Sequence, residues 1–220
     1  LVEQGNTVST LQIGLDLTFS DYITGEFVFE SEHDKTTHSR LEEGLIKFEL
    51  DPLGIEAGRL YVPFGEYYSH FVIGPLLEFG ETRGDAFAID CTFADRMEIA
   101  FYAFDSRINS TSNSQNVDWG VNIDFANDNE DTRIGIGYLT DISESDEQFL
   151  AEFGNVSSRH VAAWNAYALV GYYPFEITVE YIATIDSFAE FEQDANKPRA
   201  YNIEIAWFAT QSMQFALRIE

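Results

Sequence analysis

Carboxylates carry most of the chemistry this sequence offers. Asp16, Glu26, Asp90, Asp118, Asp124, Glu176, Glu180 and Glu204 all lie on the polar parity of segments that alternate apolar and polar residues. Glu30, Glu49 and Glu98 follow the same rule, and the cations that share it are Lys47, Arg133 and Arg218. Side chains two residues apart along a strand point the same way, so these groups would gather on one side of a wall. Around enclosed water they would focus a negative potential and favour cations over anions. Their plainer role is to pair with Arg and Tyr and keep the enclosed space hydrated; the two roles are compatible.

Nucleophilic and metal-binding constellations are weak by comparison. The histidines, at 33, 38, 70 and 160, fall on expected loops or loop edges. His33-Asp34 with His38 could hold a metal ion but reads more simply as a solvated loop. Ser69-His70 are merely adjacent, with no local Ser-His-Asp arrangement. Asn127 to Asp131 lacks the central Gly of a calcium loop and reads as a hairpin turn. Gly135-x-Gly137 lies inside a strand, which is no place for a dinucleotide loop. Cys91 alternates with the apolar residues, reads as an inert small apolar group, and as the lone cysteine excludes an internal disulfide. No catalytic residue, metal or cofactor is expected, and the chain does not read as an enzyme.

Composition narrows the elements that could place these residues. The 220 residues carry 38 Asp plus Glu against 12 Lys plus Arg, a formal charge of −26. Nucleic acid is a poor partner, because its phosphates need clustered cations. With 45% hydrophobic and 15% aromatic residues, this is not a disordered acidic tail. The length suits one domain over 1–220. No apolar run reaches the roughly 18 residues of a transmembrane helix, and the opening LVEQGNTV has no signal-peptide pattern.

Period-two alternation is the dominant pattern. Leu11, Ile13, Leu15, Leu17 and Phe19 alternate with Gln12, Gly14, Asp16 and Thr18, and similar runs recur along the chain. The predicted strands are 8–19, 23–30, 41–50, 55–62, 85–93, 98–105, 117–126, 132–140, 160–171, 175–186, 200–207 and 213–220, with a short helix conceivable over Glu144–Phe153. Connections alternate short and long, the rhythm of an up-and-down antiparallel meander. Strands of about ten residues with one apolar face are the signature of a transmembrane β-barrel, which satisfies every backbone group within lipid. The fold class is therefore all-β, an outer-membrane up-and-down barrel. Phe19, Tyr22, Phe93, Phe125, Tyr172, Tyr173, Phe175, Trp207 and Phe208 sit beside short turns and form one interfacial girdle. The strand directions imply further strands before residue 8 and after 213–220, giving about 14–16 in a complete barrel. The alternative is a soluble sandwich or lipocalin-like barrel with its apolar face inward. The Gly, Asn and Thr on the polar faces favour a wet lumen instead. On that reading Arg at Val121 is costly in lipid, while Arg at Asn122 is tolerated.

Residues 63–84 make the longest connection and the most apolar one. A loop bearing Phe64, Tyr67, Tyr68, Phe71, Val72, Ile73 and Leu76 should not stand free in water. It should fold into the barrel mouth as a constriction, with Pro63 and Pro75 stiffening it and Gly65, Gly74 and Gly80 allowing bends. It then either fills space and braces the wall, or contacts a ligand through Tyr67, Tyr68 or His70.

The stretch Gly58-Arg59-Leu60-Tyr61-Val62-Pro63-Phe64-Gly65, followed by Gly74-Pro75-Leu76-Leu77 and Gly80-Glu81-Thr82-Arg83, resembles the LbtU-like siderophore porins of bacterial outer membranes. In that family an Asp precedes the Pro-Leu and a Thr-Asn lies earlier in the loop, where this chain has Gly74 and Ser69-His70. The resemblance implies a barrel of about 16 strands without a plug domain, taking up iron chelates or small solutes. The expectation is thus an outer-membrane porin or siderophore/small-solute channel, its partners being outer-membrane lipid, lipopolysaccharide and the solute. A closed structural or adhesive barrel, or an outer-membrane hydrolase, is the alternative. Anionic ferric chelates would need help from Arg59, Arg83 or Arg133 against so acidic a lumen.

Overall fold

Alternating β-branched and aromatic residues suit a pleated surface that is packed on one side, and a meander of such segments pairs each strand with the next. A computed structural model describes residues 9–33, 38–71, 75–105, 117–129, 131–144, 159–189, 191–192, 196–210 and 212–220. The strands are β1 Ser9–Ser20, β2 Ile23–His33, β3 His38–Leu50, β4 Leu53–Tyr61, β5 Arg83–Phe93 and β6 Met97–Asp105. They continue as β7 Val117–Ala126, β8 Thr132–Leu139, β9 Ala163–Tyr172, β10 Phe175–Thr184, β11 Arg199–Thr210 and β12 Met213–Ile219. All twelve form one sheet in chain order, each pair antiparallel. The sheet is not closed on itself: β1 and β12 each pair with one neighbour. The largest departures from the predicted bounds are three residues: β2 ends at His33, β3 begins at His38, β9 begins at Ala163 and β11 ends at Thr210. A short helix, α1 (Pro75–Gly80), lies in the loop between β4 and β5, and a 3-10 turn spans Ile142–Glu144. The helix expected over Glu144–Phe153 falls, beyond Glu144, outside the described residues.

The two faces of the sheet are inverted relative to a soluble protein. In β7, Trp119 is 51% exposed while neighbouring Asp118 is 3% exposed. In β11, Tyr201, Ile203, Ile205 and Trp207 are exposed, and Asn202, Glu204 and Ala206 between them are buried. An apolar band of this extent outside and carboxylates inside require lipid around the sheet. This is the wall of an outer-membrane barrel, and the soluble alternative is set aside.

Three expectations are corrected on these faces. Phe19, Tyr22, Phe93, Phe125, Tyr172, Tyr173, Phe175 and Trp207 are exposed near the short turns, but Phe208 is not part of that belt. Trp207 takes the outward position, so Phe208 turns inward opposite Gln214, its ring 5.9 Å from that of His70. The inner glycines do not mark hydration. Tyr102 lies directly across from Gly120, and Tyr167 across from Gly135; a Cβ at either glycine would overlap the tyrosine ring. Nor is Asn122 a tolerant position. It is buried, its Nδ2 is 3.4 Å from the Tyr167 hydroxyl, and it crowds Gly137, so an arginine has no room.

The apolar core lies inside the curved sheet, toward the long-connection end. Leu60, Val62, Phe64, Leu76, Phe79, Phe104, Leu139, Ile142, Val161, Ile182 and Phe188 are all buried there. Loop residues supply much of this cluster, so the loop's own hydrophobicity draws it into the concavity.

Candidate functional site

Cross-strand partners share a side of a sheet, and the register places all the expected lining residues on the inner face. Asp16 faces Glu26 across β1 and β2. Lys47, on β3, lies 3.4 Å from both Glu26 and Glu56. Asp90 sits against Gly54, where a Cβ would displace its carboxylate. Asp124, opposite Glu98, accepts hydrogen bonds from the Tyr167 hydroxyl and from Arg133 Nε. Glu204 faces Arg218, whose guanidinium lies 4.6 Å from the centre of the Phe71 ring. Asp118 stands apart from these, at the other end of β7.

The loop from Val62 to Thr82 crosses the concavity and rests on the far wall. Phe64 is fully buried, and Gly65 has φ +93°, a left-handed conformation that glycine adopts without strain. A Cβ at Gly65 would run into the Tyr67 ring and Glu180. That bend aims two successive amides at one carboxylate: Glu180 accepts from Glu66 N–H at 3.0 Å and Tyr67 N–H at 2.8 Å. Glu204 takes the next turn, accepting from Ser69 Oγ at 2.7 Å, His70 N–H at 2.9 Å and His70 Nδ1 at 2.5 Å. His70 Nε2 lies 3.4 Å from Glu176, so one imidazole spans two wall carboxylates. Pro63 precedes the buried Phe64, while Pro75 opens α1, which packs against β11 and β10.

Below the loop, toward the short turns, lies a polar cavity of about 430 Å³ lined in part by Glu66, Tyr68, Glu98, Asp124, Arg133 and Glu176. Arg133 Nη1 donates to Glu66 at 2.7 Å, tying the loop to β8 as well. Burial raises the Glu66 carboxyl above its ordinary value, with Arg133 opposing. Burial and the neighbouring Glu176 push the Tyr68 phenol up to about 12, and burial, with Glu180 nearby, raises the Tyr67 phenol well above its ordinary value. Both phenols are neutral here, and the Tyr67 hydroxyl is buried without a hydrogen-bond partner. The arrangement can narrow an aqueous passage and present carboxylates, the Tyr68 phenol and the guanidinium groups of Arg96 and Arg133 to whatever occupies it.

Two of the cations expected to assist anionic solutes are elsewhere. Arg59 falls on the outward parity of β4, opposite Gly44 and Asp85, and Arg83 is buried against Glu42 and Tyr61. Only Arg133 of the three faces the cavity. Sequence reasoning missed Glu66 and Ser69 as loop fasteners, and also a group at the long-connection end: Asp118, Asp141 and His160 converge there. The first two betray themselves only as polar residues in an apolar loop. The last three come from β7 and from the two ends of the connection between β8 and β9, with no motif to join them.

No family profile matches the chain. It is 27% identical over 166 residues to a UPF0422 protein of Coxiella burnetii (strain RSA 493 / Nine Mile phase I), covering 70% of this chain and 36% of that protein. It is 27% identical over 181 residues to a UPF0422 protein of Legionella pneumophila (strain Paris), covering 71% and 34%. The chain thus spans about a third of the length of these curated relatives. Among solved structures, it aligns with the outer membrane channel DcaP of Acinetobacter baumannii at a TM-score of 0.61 and 9% identity, over 96% of this chain and 64% of that one. With Salmonella typhi OmpF, solved with daunomycin, the TM-score is 0.62 at 13% identity, over 92% and 67%. These likenesses show a porin-like outer-membrane fold, without singling out the siderophore porins that residues 58–83 resemble.

Proposed function

We propose that this chain forms the wall and constriction of a non-enzymatic outer-membrane channel for small solutes. The observation that carries the reading is the loop from Val62 to Thr82, folded onto the inner face and fastened to Glu180 and Glu204 on the opposite wall. A barrel that only needed filling would be served by apolar packing alone. This one suspends a polar segment above a polar cavity, which suits control of an aqueous path. The outer band and its aromatic belt suit contact with outer-membrane lipid and lipopolysaccharide.

Within that reading the passage prefers cations, because inner-face carboxylates outnumber Lys and Arg and a low-dielectric wall strengthens their field. Uptake of iron chelates rests on the resemblance of residues 58–83. Chelates of neutral or positive charge fit this inner face better than anionic ones, since the two cations at the cavity, Arg133 and Arg96, are already paired with Glu66 and Asp128.

The test is conductance of the full-length protein in planar bilayers. Discrete steps are expected, with a reversal potential in a salt gradient showing cation preference, clearest near 0.01 M salt where the Debye length is about 30 Å. Steps with anion preference would sink the acidic-lumen assignment. Absence of steps would favour a closed structural or adhesive barrel.

A further inference from the structure

At the long-connection end, one side chain from β7 and two from opposite ends of the connection between β8 and β9 meet at one point. Asp118 lies near the start of β7, Asp141 just beyond β8 and His160 just before β9. Asp141 Oδ1 is fully engaged, accepting from Ser143 N–H at 3.0 Å, Ser143 Oγ at 2.6 Å and Val161 N–H at 3.0 Å. Its Oδ2 is buried and receives no hydrogen bond. That oxygen lies 3.4 Å from His160 Nδ1, which is also 3.0 Å from Asp118 Oδ1 and 3.1 Å from Oδ2. Asp118 Oδ1 accepts from Thr140 Oγ1 at 2.8 Å.

Hydrogen bonding alone leaves this group incomplete. A single N–H on Nδ1 cannot point at three oxygens at once, and one imidazolium neutralises only one of two buried carboxylates. Burying an unpaired carboxylate oxygen is costly. The spacing suggests what completes the group. Donor atoms about 2.1 Å from a first-row metal ion lie about 3.0 Å apart at octahedral edges and about 3.4 Å apart at tetrahedral ones. The contacts of Nδ1 with Asp118 and Asp141 are 3.0 and 3.4 Å. Two buried carboxylates give the charge, and half-exposed His160 gives a route from solvent.

We propose that Asp118, Asp141 and His160 form a divalent transition-metal site of the zinc class. The imidazole selects such ions over calcium or magnesium, which favour all-oxygen shells. The bound ion ties β7, β8 and β9 together where their long connections begin. This inference does not depend on the channel reading, because it concerns a wall site outside the loop and its cavity.

The experiment uses full-length protein folded in detergent and stripped with a chelator, with heat-dependent gel mobility reporting folding. Zinc is titrated in competition with a chromogenic chelator, and cobalt is followed by its visible absorption. One zinc per chain is expected, with affinity falling at least tenfold in His160→Gln and Asp141→Asn and unchanged in a His33→Gln/His38→Gln double variant. The cobalt bands should vanish in His160→Gln. If Asp141→Asn fails to fold, half-exposed His160 decides alone. Zinc affinity within twofold of wild type in folded His160→Gln, or tighter binding of calcium than of zinc, would overturn the site.

Discussion

The loop between β4 and β5 has two arms that hold it in different ways. The apolar arm, Val62, Phe64, Leu76 and Phe79, is buried in the inner core and holds by exclusion from water. The polar arm, Gly65 to His70, hangs from Glu180 and Glu204 through directed hydrogen bonds and borders the cavity. Apolar burial is non-directional and tolerates rearrangement, whereas amides aimed at a carboxylate fix position. The difference teaches that attachment and aperture are separable: one arm keeps the loop inside, the other decides where its edge lies.

The largest effect should come from the apolar arm. Phe64→Ala, at a fully buried site, should cost about 3–5 kcal/mol, read as a lowered urea midpoint of the full-length protein in vesicles. Next is the polar arm. Glu180→Ala strands two amides and should loosen the loop by about 2–3 kcal/mol, seen as larger and noisier conductance and faster proteolysis near Tyr67. If Glu180→Ala lowers the global midpoint as far as Phe64→Ala, the division between the arms fails.

A smaller change is expected from His70→Gln, which keeps the backbone bond to Glu204 and loses the imidazole reaching Glu204 and Glu176. Conductance should rise modestly with the unfolding midpoint nearly unmoved; a midpoint shift matching Glu180→Ala would make His70 part of the anchor. The smallest effect concerns pH. The Glu66 carboxyl is raised above its ordinary 4.5 by burial, so the folded loop favours its protonated form. That contribution is complete below the ordinary value and is lost as pH rises through the folded one. Proteolytic opening of the loop should therefore increase slightly from about pH 4 toward neutrality. Glu66→Gln should flatten that slope; an unchanged slope would remove Glu66 from the loop's energetics.

The apolar arm was legible in the sequence and the polar arm mostly was not. Phe64 and Leu76 announce themselves because a connection so apolar has nowhere to go but inward. The period-two runs likewise set strand order and outer face, since alternation is a local property. The fastening is not local: Glu180 meets Tyr67 across 113 positions and Glu204 meets His70 across 134. The acceptors look like any other inner carboxylate, and their donors are backbone amides that every residue has. Phe208 misled for the opposite reason, because proximity to a turn suggested the belt while parity sent it inward.

The tyrosines seated on Gly120 and Gly135 have a consequence for how this sequence can change over time. The Tyr102 tooth and Gly120 notch match at only one alignment of β6 and β7, whereas one inward step on β8 would offer Tyr167 a second glycine, Gly137. Sliding β7 past β6 by one inward step would bring Tyr102 against Asp118 or Asn122, both buried. A two-residue insertion or deletion preserves face parity, so it would pass unnoticed by the lipid-facing pattern, yet within β6 or β7 it would jam a ring against a filled position. Length variation among descendants of this chain should therefore collect in the long connections and avoid these two strands.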